Sequence, residues 1–167
     1  LVVAAAGNEV REGVNLDVTP AYPVCQNGAN GENWVMGVTS VDLADQRASF
    51  SNFGRACVDV SAPGISVYST VVYRPTIEGF DRPYSGWWTG TSVAAPQVSG
   101  AAALLWSLNP SFSLRQVQDI IKEPGRDIDR LNVDIGGLLG RRLDLHASLA
   151  QAARTAARPA ALGRPRG

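Results

Sequence analysis

The stretch Gly90-Thr91-Ser92-Val93-Ala94-Ala95-Pro96 opens the run that most constrains this chain. Val93, Ala94, Ala95 and Val98 follow Ser92, then Ala101 to Trp106, and the run stops at Asn109-Pro110. Being apolar on nearly every side, it predicts a helix buried within a domain rather than lying on its surface. Gly86, Gly90 and Pro96 bracket its start. A proline is tolerated near a helix N-terminus, where its missing N–H has no intrahelical acceptor. Ser92 then sits at the positive end of the helix dipole beside unpaired N–H groups, a place that stabilises an oxygen gaining negative charge. A serine at a helix start is more often only an N-cap, so its surroundings must decide.

The chain has 167 residues, 45% of them hydrophobic, enough for one domain with a sizeable core. Lys+Arg 15 balances Asp+Glu 15. Arg154, Arg158, Arg164 and Arg166 lie in an acid-free tail, which leaves a mildly acidic body and no reason to expect nucleic acid as partner. No apolar run reaches the roughly 18–20 residues of a membrane span. Two cysteines and one histidine do not make a zinc site. Cys25 and Cys57 read equally well as one bridge or as two separate buried thiols.

Leu1 to Ala6 is a continuous apolar run ending at Gly7-Asn8, expected to be a buried parallel strand. A buried strand at the very start, with no Met or signal peptide, reads as part of a longer protein whose targeting information lies elsewhere. A loop rich in Asn, Gly and Pro runs from Glu9 to Glu32. Trp34–Val41 and Cys57–Ala62 are expected as buried strands, Arg47–Ser51 as a short exposed one, and Ile65–Thr70 as a fourth. Val71–Thr89 reads as a loop. Ser113 caps a helix over Leu114–Lys122 with an apolar stripe at Leu114, Val117, Ile120 and Ile121. Gly136–Gly140 is a turn, and a last helix starts at Asp144 and runs to about Ala153. Residues 154–167 lack periodicity and read as disordered.

Gly90-Thr91-Ser92-Val93-Ala94-Ala95-Pro96-Gln97-Val98-Ser99-Gly100 resembles the nucleophile-serine motif of the subtilisin-like serine proteases. Gln97 departs from it, since the family usually carries a noncatalytic His there. Val3-Ala4-Ala5-Ala6-Gly7-Asn8-Glu9 resembles the family's oxyanion-hole segment. Asp45–Gly54 and Val58–Gly64 match two further landmarks, so the resemblance spans roughly residues 1–153. It implies a three-layer α/β fold with a mostly parallel sheet flanked by helices, here a partial domain, followed by the basic tail.

The resemblance implies a secreted, monomeric serine endopeptidase acting on protein or peptide substrates. Ser92 would be the nucleophile, and Asn8 with the Ser92 N–H would hold the oxyanion. Ala5, Ala6, Gly7 and Thr91 would line the substrate. Small residues there are also what tight strand packing requires, and Thr91 could equally be a plain helix-start residue. The family's Asp and His motifs precede the serine and fall outside this chain, so the chain alone is expected to be inactive. His146, on the last helix, is expected at the surface rather than as the base, and Asp59 resembles a structural position. Trp88 and Thr89 would border the leaving-group side. Export tips the cysteines toward a bridge. No cofactor or site metal is implied for the chemistry, although some relatives hold a structural calcium in the loop that here contains Tyr22-Pro23. The rival reading is a catalytically dead relative that binds peptides on the same scaffold.

Overall fold

The computed structural model describes residues 1–9, 11–28 and 32–156. Four strands form one sheet in the order β1 (Val2–Ala5), β2 (Val35–Val41), β3 (Val60–Pro63), β6 (Arg141–Arg142), all parallel. Val3 stands beside Met36, Val38 beside Val60, and Val60 beside Arg141. β4 (Val67–Thr70) and β5 (Tyr84–Trp88) make a separate antiparallel hairpin. Three helices complete the fold: α1 (Thr91–Leu108), α2 (Leu114–Lys122) and α3 (Leu145–Ala156).

Strand alternation divides the side chains between two cores. Val3, Ala5, Met36, Val38, Val60 and Ala62 turn toward α1 and its Ala94, Val98, Ala101 and Leu105. Ala4, Ala6 and Val35 turn the other way, against Leu16, Val24 and Val58. That second layer is built from the long loop after β1 and closed by the Cys25–Cys57 disulfide. Its closeness explains Gly37 within β2, where a Cβ would collide with the Cys57 carbonyl. A mostly parallel sheet flanked by helices is the architecture the resemblance implied.

Ser113 caps α2 through a reciprocal box: its hydroxyl accepts from the Gln116 N–H at 3.3 Å, and Gln116 Oε1 accepts from the Ser113 N–H at 2.8 Å. Val117, Ile120 and Ile121 are buried, while Leu114 at the first turn is exposed. Lys122 at the other end pairs with Asp59 of the segment entering β3 at 3.3 Å, and Asp59 also accepts from Asn33 and from the Gly37 N–H. Asp59 is thus a structural tie between α2 and the sheet. Asp144 caps α3, accepting from the Ala147 N–H at 2.9 Å.

Four expectations need correction. α1 is not buried all round: Leu104 and Leu108 are about half exposed, at 47% and 49%, and among the described residues no element covers that side. Val71–Thr89 is not wholly loop, because β5 pairs back onto β4. Its exposed aromatic residues and Gly86 gave no buried-strand pattern. Arg47–Ser51 is not an exposed strand; Ala48 and Ser51 are buried in a loop joined to its surroundings by isolated bridges. Arg47 organises that loop by donating to the carbonyls of Ala48, Ser49 and Ser51 and lying over the Phe53 ring. Burial pushes the Arg47 guanidinium below its ordinary value, with the Glu12 carboxylate opposing. Finally, α3 takes in Arg154 to Ala156, and the rest of the expected disordered tail lies outside the described residues.

The disulfide spans 32 residues of sequence, and closing such a loop stabilises the fold by about 3–4 kcal/mol through the unfolded chain. Thiol titration of denatured, unreduced protein should find no free thiol, and two after reduction. The paired change Cys25→Ala, Cys57→Ala should lower the unfolding free energy by that amount in a denaturant titration.

Candidate active site

β1 delivers Asn8 just beyond its carboxyl end, the edge at which parallel sheets bind ligands. Asn8 bridges to Ser51, and the Glu9 N–H donates to the Phe50 carbonyl at 2.8 Å, so the segment is held on its outer side. α1 delivers Ser92 as its second residue, after Gly90 in the cap position. The Ser92 N–H therefore has no acceptor within the helix. The side chains of both Asn8 and Ser92 reach solvent.

Thr91 joins the two ends. Its N–H donates to Asn8 Oδ1 at 2.9 Å, its hydroxyl donates to the same oxygen at 3.0 Å, and that hydroxyl accepts from the Gly7 N–H at 3.1 Å. With Oδ1 doubly engaged, Asn8 turns Nδ2 away from Thr91. The Asn8 side-chain amide lies beside Gly90. The Cβ of any other residue at 90 would lie 3.1 Å from Ser92 Oγ and 3.4 Å from Asn8 Nδ2. A small space is thus bordered by a hydroxyl and an amide donor, and Gly90 keeps it open. Its φ of 152° also favours glycine.

The remaining expected site residues divide. Gly7, with φ 104°, lies against Asn52, and Ala5 is half buried toward the α1 side. Ala6 is 1% exposed with its side chain in the opposite core, and its carbonyl accepts from Asn52 Nδ2 at 3.1 Å. Ala6 therefore turns its side chain into that core. Thr91 is wholly buried with its hydroxyl committed, so it positions Asn8. His146 is exposed on α3 and makes no hydrogen bond to Ser92.

Asn52, Gln97 and Gly90 are contributors that residue-by-residue reading passed over. Asn52 braces the Ala6-Gly7 backbone: its side chain donates to Ala6, its N–H donates to the Gly7 carbonyl at 3.1 Å, and its Oδ1 accepts from the Val14 N–H at 2.8 Å. Gln97 Nε2 donates to the Pro63 carbonyl at 2.6 Å and to the Val93 carbonyl at 3.2 Å, tying the first turns of α1 to the end of β3. That tie matters because Pro96 is the sixth residue of α1, deeper than the sequence suggested. It cannot donate to the Ser92 carbonyl. Asn52 and Gln97 both lie in motifs already visible in the sequence, but only folding shows what they hold.

In the loop of Tyr22-Pro23, the Ala21 and Pro23 carbonyls already accept from Cys25 and Gln26. Among the described residues no three acidic, His or Cys side chains gather as a metal site.

The profile of the subtilase family, Peptidase_S8, matches residues 1–134. The chain is 38% identical to a thermostable alkaline protease of Halalkalibacterium halodurans over 74% of its own length and 28% of the relative's. It is 39% identical to a subtilisin of Bacillus pumilus over 71% of its length and 37% of that protein's. Among solved structures, a protease from Pseudoalteromonas arctica superposes with a TM-score of 0.66 and 28% identity, covering 91% of this chain and 42% of the other. A lanthipeptide protease shares the fold with a TM-score of 0.70. The chain thus spans well under half the length of the curated relatives it matches here. A strand end and a helix start brought together around Asn8, Thr91 and Ser92, in a chain matched by this profile over most of its length, make it a member of the subtilase family.

Proposed function

We propose that this chain is the nucleophile-bearing part of a secreted, monomeric serine endopeptidase. The observation that carries the reading is the space kept open at Gly90, bordered by Ser92 Oγ and Asn8 Nδ2. Ser92 Oγ attacks the peptide carbonyl, and its proton passes to a histidine supplied, with its orienting aspartate, by a part of the catalytic domain outside this chain. As the carbonyl oxygen becomes an oxyanion, Asn8 Nδ2 and the Ser92 N–H donate to it from fixed positions. The imidazolium then gives its proton to the departing amine. Water repeats the sequence in reverse and frees the acid product. Thr91 contributes by preventing the Asn8 amide from rotating. The disulfide fits export to an oxidising compartment, and no helix among the described residues is long and apolar enough to cross a membrane.

Fluorophosphonate labelling and peptide hydrolysis test this on protein carrying the whole catalytic domain. Ser92→Ala should abolish labelling and reduce hydrolysis to background. Asn8→Ala should keep labelling, more slowly, with turnover down about 10²–10³ and KM little changed; that magnitude belongs to the corresponding asparagine of subtilisin itself. A raised KM with intact turnover would instead make Asn8 a substrate-binding residue. Labelling absent from the unaltered protein would favour the peptide-binding relative.

Thr91→Val keeps the side chain's shape and removes both hydroxyl bonds. Turnover should fall roughly tenfold, the equivalent of about one hydrogen bond, and Thr91→Ser should restore it. Gly90→Ala should cost more than Thr91→Val, because its methyl group enters the oxyanion space. The 167-residue chain alone, lacking a base at Ser92, should take up no label.

A further inference from the structure

Ser92 lacks both of the bonds that a helix gives its interior residues. As the second residue of α1 its N–H has no intrahelical acceptor, and its carbonyl faces Pro96, which has no N–H to donate. The turn that carries the hydroxyl must therefore be held from outside the helix. The end of β3 does this on both sides of Ser92. Upstream, the Gly90 N–H donates to the Gly64 carbonyl at 2.8 Å, and the Ser66 N–H donates to the Thr89 hydroxyl at 3.0 Å. Downstream, Gln97 Nε2 donates to the Pro63 carbonyl at 2.6 Å and to the Val93 carbonyl at 3.2 Å.

Two adjacent carbonyls, those of Pro63 and Gly64, thus grip the chain before and after the serine. That dipeptide is itself fixed to the sheet. Pro63 stands beside Val41 in the ladder, and the Gly64 N–H donates to the Val41 carbonyl at 3.0 Å. The approach is close: a Cβ at position 64 would collide with the Ser40 hydroxyl and lie 2.7 Å from the Gly90 carbonyl oxygen. The Gly90 grip is backbone to backbone and needs no particular side chain. The other grip needs a side chain that reaches from α1 and donates, and the two N–H groups of the Gln97 amide suffice for both carbonyls. We propose that Gln97 is a positioning residue for Ser92. Its amide stands in for the bond lost at Pro96 and holds the turn bearing Ser92 against the end of β3. Gln97 acts through Pro63 and Val93 and touches no substrate. A nucleophile displaced by about 1 Å can lose on the order of a hundredfold in rate, so such a brace matters to turnover. The proposal rests on Ser92 being the nucleophile.

The test uses protein with its complete catalytic domain and reads peptide hydrolysis beside fluorophosphonate labelling. Gln97→Met keeps the length of the side chain and removes both N–H groups. Turnover and labelling rate should each fall roughly tenfold, with KM unchanged. Gln97→His, which again offers an N–H, should restore most of that loss. Pro96→Ala returns a donor to the Ser92 carbonyl, so adding Gln97→Met to that variant should cost less than about threefold. A general folding defect would cost as much with alanine at 96 as with proline, which separates it from lost positioning. Gln97 also borders a cleft that reaches Ser92, so a raised KM with intact turnover would make it a substrate contact and overturn the proposal. So would an undiminished rate in Gln97→Met, no recovery in Gln97→His, or an equal loss in both backgrounds. Unaltered protein that takes no label, or label that persists in Ser92→Ala, overturns the nucleophile reading and this role with it. Where the unaltered protein labels at Ser92, the Gln97 variants judge the role alone.

Discussion

The ends of two elements far apart in sequence are locked together in this protein by a single buried threonine, the first residue of α1. The Thr91 hydroxyl accepts from Gly7 at the end of β1 and donates, together with its own N–H, to Asn8. Without that junction β1 and α1 could still be packed core to core, yet the Asn8 amide would be free to rotate. With it, a strand terminus supplies an aimed donor and a helix terminus supplies a hydroxyl and an N–H. Parallel strands and helix N-termini both concentrate unpaired polar groups at their ends, and a site arises where two such ends coincide.

The surroundings of the junction resist its distortion from several directions. Asn52 secures the Ala6-Gly7 backbone from the loop side, and Arg47 organises that loop from within. Gln97 ties α1 to the end of β3 over the turn that Pro96 leaves without its usual hydrogen bond. Behind the sheet, the disulfide fastens the long loop against Gly37 and its neighbours. Each tie is modest, since a typical intramolecular hydrogen bond contributes about 1 kcal/mol, but each acts on a group whose direction matters to the site.

α1 packs against the sheet and against α2 and α3. Its Ala94, Val98, Ala101 and Leu105 share a core with the sheet, α2 and α3, while Leu104 and Leu108 lie half exposed. Exposed apolar surface on a central helix is unfavourable in water. The aromatic hairpin is exposed too, with Gly86 against the Tyr68 ring and Trp87 at φ 67°.

The sequence by itself determined the elements whose signals are local. α1 was legible from its unbroken apolar run, α2 from Ser113 and its 3.6-residue stripe, and β1 and β2 from continuous apolar stretches. β5 was illegible because an exposed aromatic strand has no buried face to mark it, and β6 because two arginines carry no strand signal. The burial of Arg47–Ser51 depends on carbonyls that Arg47 meets only after folding. Only the tertiary structure decided that Thr91 is buried and bonded to Asn8, that Ala6 faces a core, and that Gly90 lies against both Asn8 and Ser92. Those are relations between atoms some eighty residues apart, as the Gly7–Thr91 separation of 84 shows, and no local periodicity encodes them.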